Sequence, residues 1–283
     1  MAVEPPVVSP TALSEALALR AEGGWRPLAG GTDLMVQLVA DVAEPPARVL
    51  DLSRLDELRG VEYDGYEVSI GALTTYTELR NSPVISARLH ALSEVAGTVG
   101  AAQIQNRGTI GGNICNASPA GDTLPVLLAV DAVFECASAD GIRDVPAREF
   151  WTGYRQTALR DDELLVRIRF AVDRSRSTRF RKVGTRAAQA ISKVVLALSY
   201  RDDGGTWRDV RVALGSVAAV PIRATATEAV LEGTRPGEVV ADEAARVLAD
   251  EITPIDDVRS TADYRRSVSG RVLHRLLREE AGW

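Results

Sequence analysis

Two short runs in this chain combine glycine with small polar residues in a way that core packing does not need. The first is Pro27-Leu28-Ala29-Gly30-Gly31-Thr32-Asp33-Leu34. The second is Thr109-Ile110-Gly111-Gly112-Asn113, inside the longer stretch NRGTIGGNICNASPAGD at 106–122. Backbone amides approach a phosphate only where side chains are absent, and glycine permits both that approach and the positive φ of a cradling turn. A helix N-terminus behind such a turn adds partial positive charge. A carboxylate a few residues further on can take two ribose hydroxyls at once, and Asp122 stands in that place. Each segment also has a plainer reading: Gly30-Gly31 suits a tight turn in which Thr32 or Asp33 caps the next helix, and Asp122 suits the N-cap of the helix that follows it. Neither run is G-x-G-x-x-G or G-x-x-x-x-G-K-[ST], so the usual nucleotide motifs do not apply.

The elements around these runs follow from pattern. Ser9 as N-cap and Pro10 as first residue predict a helix with Leu13, Ala16 and Leu17 as apolar positions and Gly23-Gly24 as its stop. The strand WRPLA runs through the first glycine turn into LMVQLVA, which has the apolar content of a short buried helix. Residues 47–72 read as short strands, with Asp64-Gly65 as a two-residue hairpin turn. Ile85, Leu89, Leu92, Val95 and Ala96 predict a helix over 85–98. Beyond the second glycine segment come an apolar helix in TLPVLLAVDA, a hairpin from VFECAS to IRDVP, a polar excursion and the alternating strand LLVRIRFAV. Near residue 175 the chain changes character. An Arg-rich segment with Arg174, Arg176, Arg179, Arg181 and Lys182 leads into two strands, and three helical stretches follow from Ile222. The charge run reads as a solvated face, with docking of an acidic partner as the other reading.

Composition removes several function classes. At 283 residues, 46% hydrophobic and 25% charged, the chain suits two globular domains that each bury a core. Its net charge of −6 gives no basic field for nucleic acid. Two cysteines, Cys115 and Cys136, and two histidines, His90 and His274, are too few for a zinc or iron–sulfur site. Cys115 reads as a small packed filler beside the second loop. No apolar run is long enough to cross a membrane, and the N-terminal residues lack a basic, apolar leader, so a cytoplasmic protein is expected.

The motifs LAGGTDLMVQL, NRGTIGGNICNASPAGDTLPVLLAVDA, FWTGYRQTALRDDELL and FRKVGTRAAQAISKV together resemble the FAD-binding (medium) subunit of the xanthine dehydrogenase and carbon monoxide dehydrogenase family of molybdenum hydroxylases. The likeness extends to ADYRRSVSGRVLHRLL, near the end of the chain. It implies an α+β fold: a two-lobed FAD domain of the PCMH type, as in vanillyl-alcohol oxidase-like flavoproteins, over 1–175 with lobes of about 1–55 and 56–175. A C-terminal domain over 176–283, with a three-stranded antiparallel sheet and a helical bundle, would follow. Carried over by motif, FAD would be held by Pro27 to Leu34, by Thr109 to Asn113, by Asp122 on the ribose side, and by Val99, Leu165 and Lys182. The implied partners are an iron–sulfur subunit and a molybdenum cofactor subunit, with NAD+ or another acceptor taking the electrons.

Some residues depart from the family pattern. Carbon monoxide dehydrogenase subunits carry His-Ser after the Gly-Gly, whereas this chain has Thr32-Asp33, nearer the xanthine dehydrogenase type. The loop after Lys182, which in the family can carry an acidic residue that influences NAD access, has Gln189. The cysteine-rich insertion of hydroxybenzoyl-CoA reductase subunits does not occur. Two other readings fit the same residues. One is a self-contained flavoenzyme similar to UDP-N-acetylenolpyruvylglucosamine reductase, and the other is a nucleotide-binding scaffold without redox turnover.

Overall fold

The computed structural model describes residues 5–40, 44–186 and 189–283. The chain opens with a small three-stranded parallel sheet in the order Val7–Val8, Arg48–Asp51, Trp25–Leu28. The helix Leu13–Ala21 makes the crossover, with Ala16 and Leu17 buried under the sheet. That helix starts later than the sequence predicts. Its N-cap is Ala12, which supplies no side-chain cap. Ser9 donates to Asp51 Oδ2 at 2.8 Å instead, and Glu57 Oε1 accepts the Leu13 N–H at 2.7 Å, so a neighbouring segment does the capping.

A five-stranded antiparallel sheet follows in the order Val61–Tyr63, Glu67–Gly71, Leu164–Ala171, Val133–Ser138, Gly141–Pro146. LLVRIRFAV is therefore the central strand of its sheet. The helix predicted over 85–98 is instead two short helices, Pro83–Arg88 and His90–Ala96, broken at Leu89. The helix Tyr76–Asn81 precedes them, closed by a Thr75/Glu78 capping box. Their apolar faces, with Leu79, Ile85, Leu92 and Val95 wholly buried, cover the sheet.

The C-terminal part holds three long antiparallel strands, Arg176–Val183, Val194–Asp203 and Thr206–Gly215. A fourth, two-residue strand at Ile222–Arg223 lengthens the expected three-stranded sheet, pairing Leu214 with Ile222. Helices Thr225–Leu231, Glu238–Glu251 and Ala262–Ala281 pack beside this sheet. The Arg-rich run is tied to its own chain: Arg179 reaches Glu280 and Arg181 reaches Glu279, each at 2.7 Å, and Arg176 pairs with Asp209.

The two parts pack together, most extensively through one helix. Leu124–Ala129 is buried at all six residues and lies on the C-terminal sheet, although the chain reaches it from the glycine segment. Its core is continuous with Phe180, Val195, Ala197 and Ala213. Burying side chains such as Leu124, Leu127 and Leu128 is worth about 1.5–3 kcal/mol each.

Candidate cofactor site

The two glycine segments come together. Gly30 faces the main chain of Arg107 and Gly108 so closely that a β-carbon on it would lie 1.9 Å from the Arg107 carbonyl oxygen. The second segment is in turn stitched to residues 72–76: Ile110 donates to the Thr74 carbonyl at 3.0 Å, Gly111 to Ala72 at 2.9 Å, and Tyr76 to Gly108 at 3.2 Å. A β-carbon on Gly111 would meet the Ala72 oxygen at 2.6 Å. Glycine at these two positions is thus demanded by backbone against backbone.

The segments differ in what they leave free. The second is not an irregular loop but the helix Ile110–Asn116, and Thr109 caps it by accepting the Gly112 N–H at 3.1 Å. The amides of Ile110, Gly111, Gly112 and Asn113 are all engaged within the protein. In the first segment, among the described residues, the N–H groups of Gly30, Gly31, Thr32, Asp33 and Leu34 find no protein acceptor. Neither Thr32 nor Asp33 caps the helix Leu34–Val39; the Asp33 carboxylate accepts from Gln37 and lies 3.6 Å from Arg155. That helix was expected to be buried, yet none of its residues is, and Met35, Val36 and Val39 face outward. What the turn offers is five adjacent unspent donors at a helix start, an arrangement that suits an anion.

Both segments line one cleft of about 1470 Å³ whose walls come from the N-terminal and the C-terminal parts of the chain. Pro27 to Leu34, Val99, Thr109, Gly111, Gly112, Asn113, Asp122 and Leu165 all reach its wall. Ile110 does not, being wholly buried beneath it. Lys182 is not part of the wall but lies against Asp122. Its Nζ lies 2.5 Å from Asp122 Oδ2 and donates to the Thr98 carbonyl at 3.0 Å.

Asp122 is not a helix cap either. The helix Leu124–Ala129 has Thr123 at its N-cap with no side-chain bond, and Thr123 donates to Asn113 Oδ1 at 2.6 Å. Burial pushes the Asp122 carboxyl above its ordinary value, while the Lys182 ammonium and, more weakly, the Ser192 hydroxyl pull it down. Its Oδ1 is buried with no partner in the protein, an acceptor held ready for a donor from a ligand. Burial, followed by the charge of Asp122, also holds the Tyr76 phenol above its usual range. Burial pushes the Cys115 thiol up to about 12, which suits a packing role.

Free amides for a pyrophosphate, an orphaned carboxylate oxygen for a hydroxyl, and a volume beyond the roughly 300–1,000 Å³ of ordinary small-molecule pockets fit a dinucleotide such as FAD. Sequence reasoning missed the contribution of the C-terminal part, where Ser192, Ser216, Thr253, Asp257 and Arg265 line the same cleft. Nothing in their spacing marks them, since they meet only after the chain folds. Among the described residues no group of three or more His, Cys, Asp or Glu could hold a metal, and no helix is long and apolar enough to cross a membrane.

Comparison with known proteins points to the same cofactor. The family described as the FAD binding domain in molybdopterin dehydrogenase matches residues 2–171, and the CO dehydrogenase flavoprotein C-terminal domain matches residues 179–280. The chain is 33% identical to the carbon monoxide dehydrogenase medium chain of Hydrogenophaga pseudoflava over 97% of its own length and 96% of the relative's. It is 34% identical to the glyceraldehyde dehydrogenase medium chain of Sulfolobus acidocaldarius, with 95% of each chain covered. A solved structure of Hydrogenophaga pseudoflava carbon monoxide dehydrogenase, in a form lacking the Mo-pyranopterin moiety of its molybdenum cofactor, superposes with a TM-score of 0.93 at 32% identity over 97% of this chain and 96% of that one. The chain therefore belongs to the family of FAD-binding medium subunits of the carbon monoxide and xanthine dehydrogenase type of molybdenum hydroxylases.

Proposed function

We propose that this subunit receives electrons from a [2Fe-2S] partner, fed by a molybdenum subunit, and delivers them through FAD to NAD+ or another acceptor, as part of a cytoplasmic complex. Bound FAD supplies the redox chemistry, exchanging electrons singly or in pairs. The chain's own residues bind and orient. The Gly30–Leu34 amides receive the pyrophosphate, and Asp122, fixed by Lys182, accepts from a hydroxyl. Val99 and Leu165 supply apolar wall, and the glycine surface at 111–112 allows close approach. We place the division between the FAD domain and the C-terminal domain near residue 175.

The single observation that carries this reading is the run of five unspent amides that lines the same cleft as Asp122. It is supported by what the chain lacks, since two cysteines and two histidines cannot assemble an iron–sulfur cluster for the preceding step. Thr32-Asp33 after the glycines favours a xanthine dehydrogenase-like complex. The relatives named for carbon monoxide and glyceraldehyde favour a second reading, a carbon monoxide or aldehyde dehydrogenase medium subunit.

The test is anaerobic. The purified chain should be yellow and release FAD on acid precipitation. Hypoxanthine, an aldehyde or carbon monoxide should bleach that colour only after iron–sulfur and molybdenum subunits are added, and the effective substrate separates the two readings. Bleaching by the isolated chain would replace the subunit reading with that of a self-contained flavoenzyme.

A further inference from the structure

Arg265 lies on the helix Ala262–Ala281, 72 residues beyond Lys193 and 49 beyond Ser216, and is 4% exposed. Its Nη1 donates to the Ser216 carbonyl at 2.6 Å and to the Lys193 carbonyl at 3.3 Å, and its Nη2 to Asp257 Oδ1 at 2.7 Å. One planar fork thus grips three separate segments, a task that guanidinium geometry performs and an ammonium does not. The grip is costly to keep, because the buried Nε–H has no protein partner.

The carbonyls it holds adjoin two serines that reach into the FAD domain. Ser216 donates its N–H to the Pro119 carbonyl at 2.8 Å, and Ser192 donates its hydroxyl to the Ala120 carbonyl at 3.4 Å. The two hydroxyls lie 2.9 Å apart. Pro119 and Ala120 stand immediately before Gly121 and Asp122, in the loop that carries the orphaned carboxylate oxygen. Ser216 has φ +67°, a left-handed conformation that a serine adopts only when its neighbours over-determine it. Here its N–H, its carbonyl and its hydroxyl are all held. The third branch, to Asp257, braces the turn Asp257–Ser260, whose amides at Arg259 and Ser260 the same carboxylate accepts at 2.8 and 3.0 Å. Thr253, Asp257 and Arg259 also line the cleft.

We infer that Arg265 is a positioning residue for the cofactor: from the C-terminal wall of the cleft, which it also lines, it sets, through Ser192 and Ser216, where the 118–122 loop presents Asp122 to FAD. The inference rests on the reading that the cleft holds FAD. It requires no contact between Arg265 and the cofactor.

The experiment uses the full chain in three forms: wild type, Arg265→Lys and Ser192→Ala. FAD affinity is measured by flavin fluorescence, the visible bands of bound FAD are recorded, and the melting temperature of each FAD-stripped chain is taken. Arg265→Lys keeps the charge and loses the fork. It should weaken FAD binding by about tenfold, the equivalent of roughly one lost hydrogen bond, and displace the flavin bands. Ser192→Ala removes one hydroxyl and should displace the bands in the same direction with a smaller loss of affinity. If Arg265→Lys does not fold, Ser192→Ala decides alone. A folded variant with a lowered melting temperature but wild-type bands and affinity would overturn the inference and leave Arg265 a stabilising residue only. If the wild-type chain itself bound no FAD, the cofactor reading would fall first.

Discussion

Gly30 and the carbonyl of Arg107 are in main-chain contact across 77 residues of sequence, with no room between them for even a methyl group. The parallel-sheet lobe and the antiparallel lobe meet at that point, and the five free amides begin at Gly30 itself. Gly30→Ala should therefore displace the amide turn from the Arg107–Gly108 main chain. The expected result is a loss of about 1–3 kcal/mol of stability, as for other overpacked sites, with FAD retention falling more than stability does. Urea unfolding and equilibrium dialysis with FAD report the two quantities. A variant that keeps full FAD affinity would separate the amide turn from cofactor binding.

The pair Lys182 and Asp122 gives a prediction with a definite pH sign. Lys182→Met leaves the carboxylate buried beside Ser192 alone, so its folded-state pKa, already above the unfolded value of about 3.8, rises further. A group raised in this way has its full stabilising effect below the unfolded value and loses it as pH rises through the folded value. The FAD-stripped variant should be destabilised by about 3–5 kcal/mol near neutral pH. The deficit should shrink toward about pH 4, as the carboxyl becomes protonated. Asp122→Asn in the same background should restore most of the loss. A deficit independent of pH would mean that Lys182 acts through packing alone.

Glu163 behaves in the opposite sense. Burial favours its neutral form. Two bonds from Arg143 at 2.6 and 2.7 Å and one from the Arg160 N–H at 2.8 Å more than offset this, and the carboxyl sits below its ordinary value. Its contribution is present above the unfolded value of about 4.5 and is lost as pH falls through the folded one. Glu163→Gln should cost about 1.5–3 kcal/mol at neutral pH and flatten the acid limb of a stability curve between about pH 5 and 3. An unchanged acid limb would assign acid sensitivity elsewhere.

Cys115 lines the cleft, yet its thiol is pushed up to about 12 by burial, with the neighbouring Cys136 adding to the effect. Iodoacetamide at about pH 8 should leave it unmodified in the folded chain, since the thiolate is the reactive form. Cys115→Ser should retain FAD at wild-type affinity. Rapid alkylation, read by mass spectrometry of the peptide that contains it, would contradict this.

The glycine segments were legible because a backbone that must touch another backbone leaves no other residue to choose. Pro27 to Leu34 and Asp122 line one cleft. The division of labour between the segments was not legible. Gly-Gly-Asn is poor helix material, and the helix Ile110–Asn116 forms because Thr109 caps it and Thr74 and Ala72 accept its first amides. The break at Leu89 lay within a plausible apolar period. The start of the first helix moved because Asp51 and Glu57 compete for Ser9 and Leu13. Lys182 could be matched by motif, but its partner lies 60 residues away and only the fold pairs them. The serines and Arg265 carry no local signal whatever.

The buried helix Leu124–Ala129 crosses the boundary between the two parts of the chain. It is encoded with the first part of the chain and spends its apolar surface on the second, so the gene's apparent seam near 175 is not a seam in three dimensions. A protease that nicked the connection should yield two pieces that stay together and stay coloured. Expression of 1–175 alone should give an insoluble product, because Leu124, Leu127 and Leu128 would face water where Val195, Ala197 and Ala213 now cover the same core. Fusions or exchanges between relatives that keep this helix with its own C-terminal sheet should tolerate the join, and those that divide the two should not.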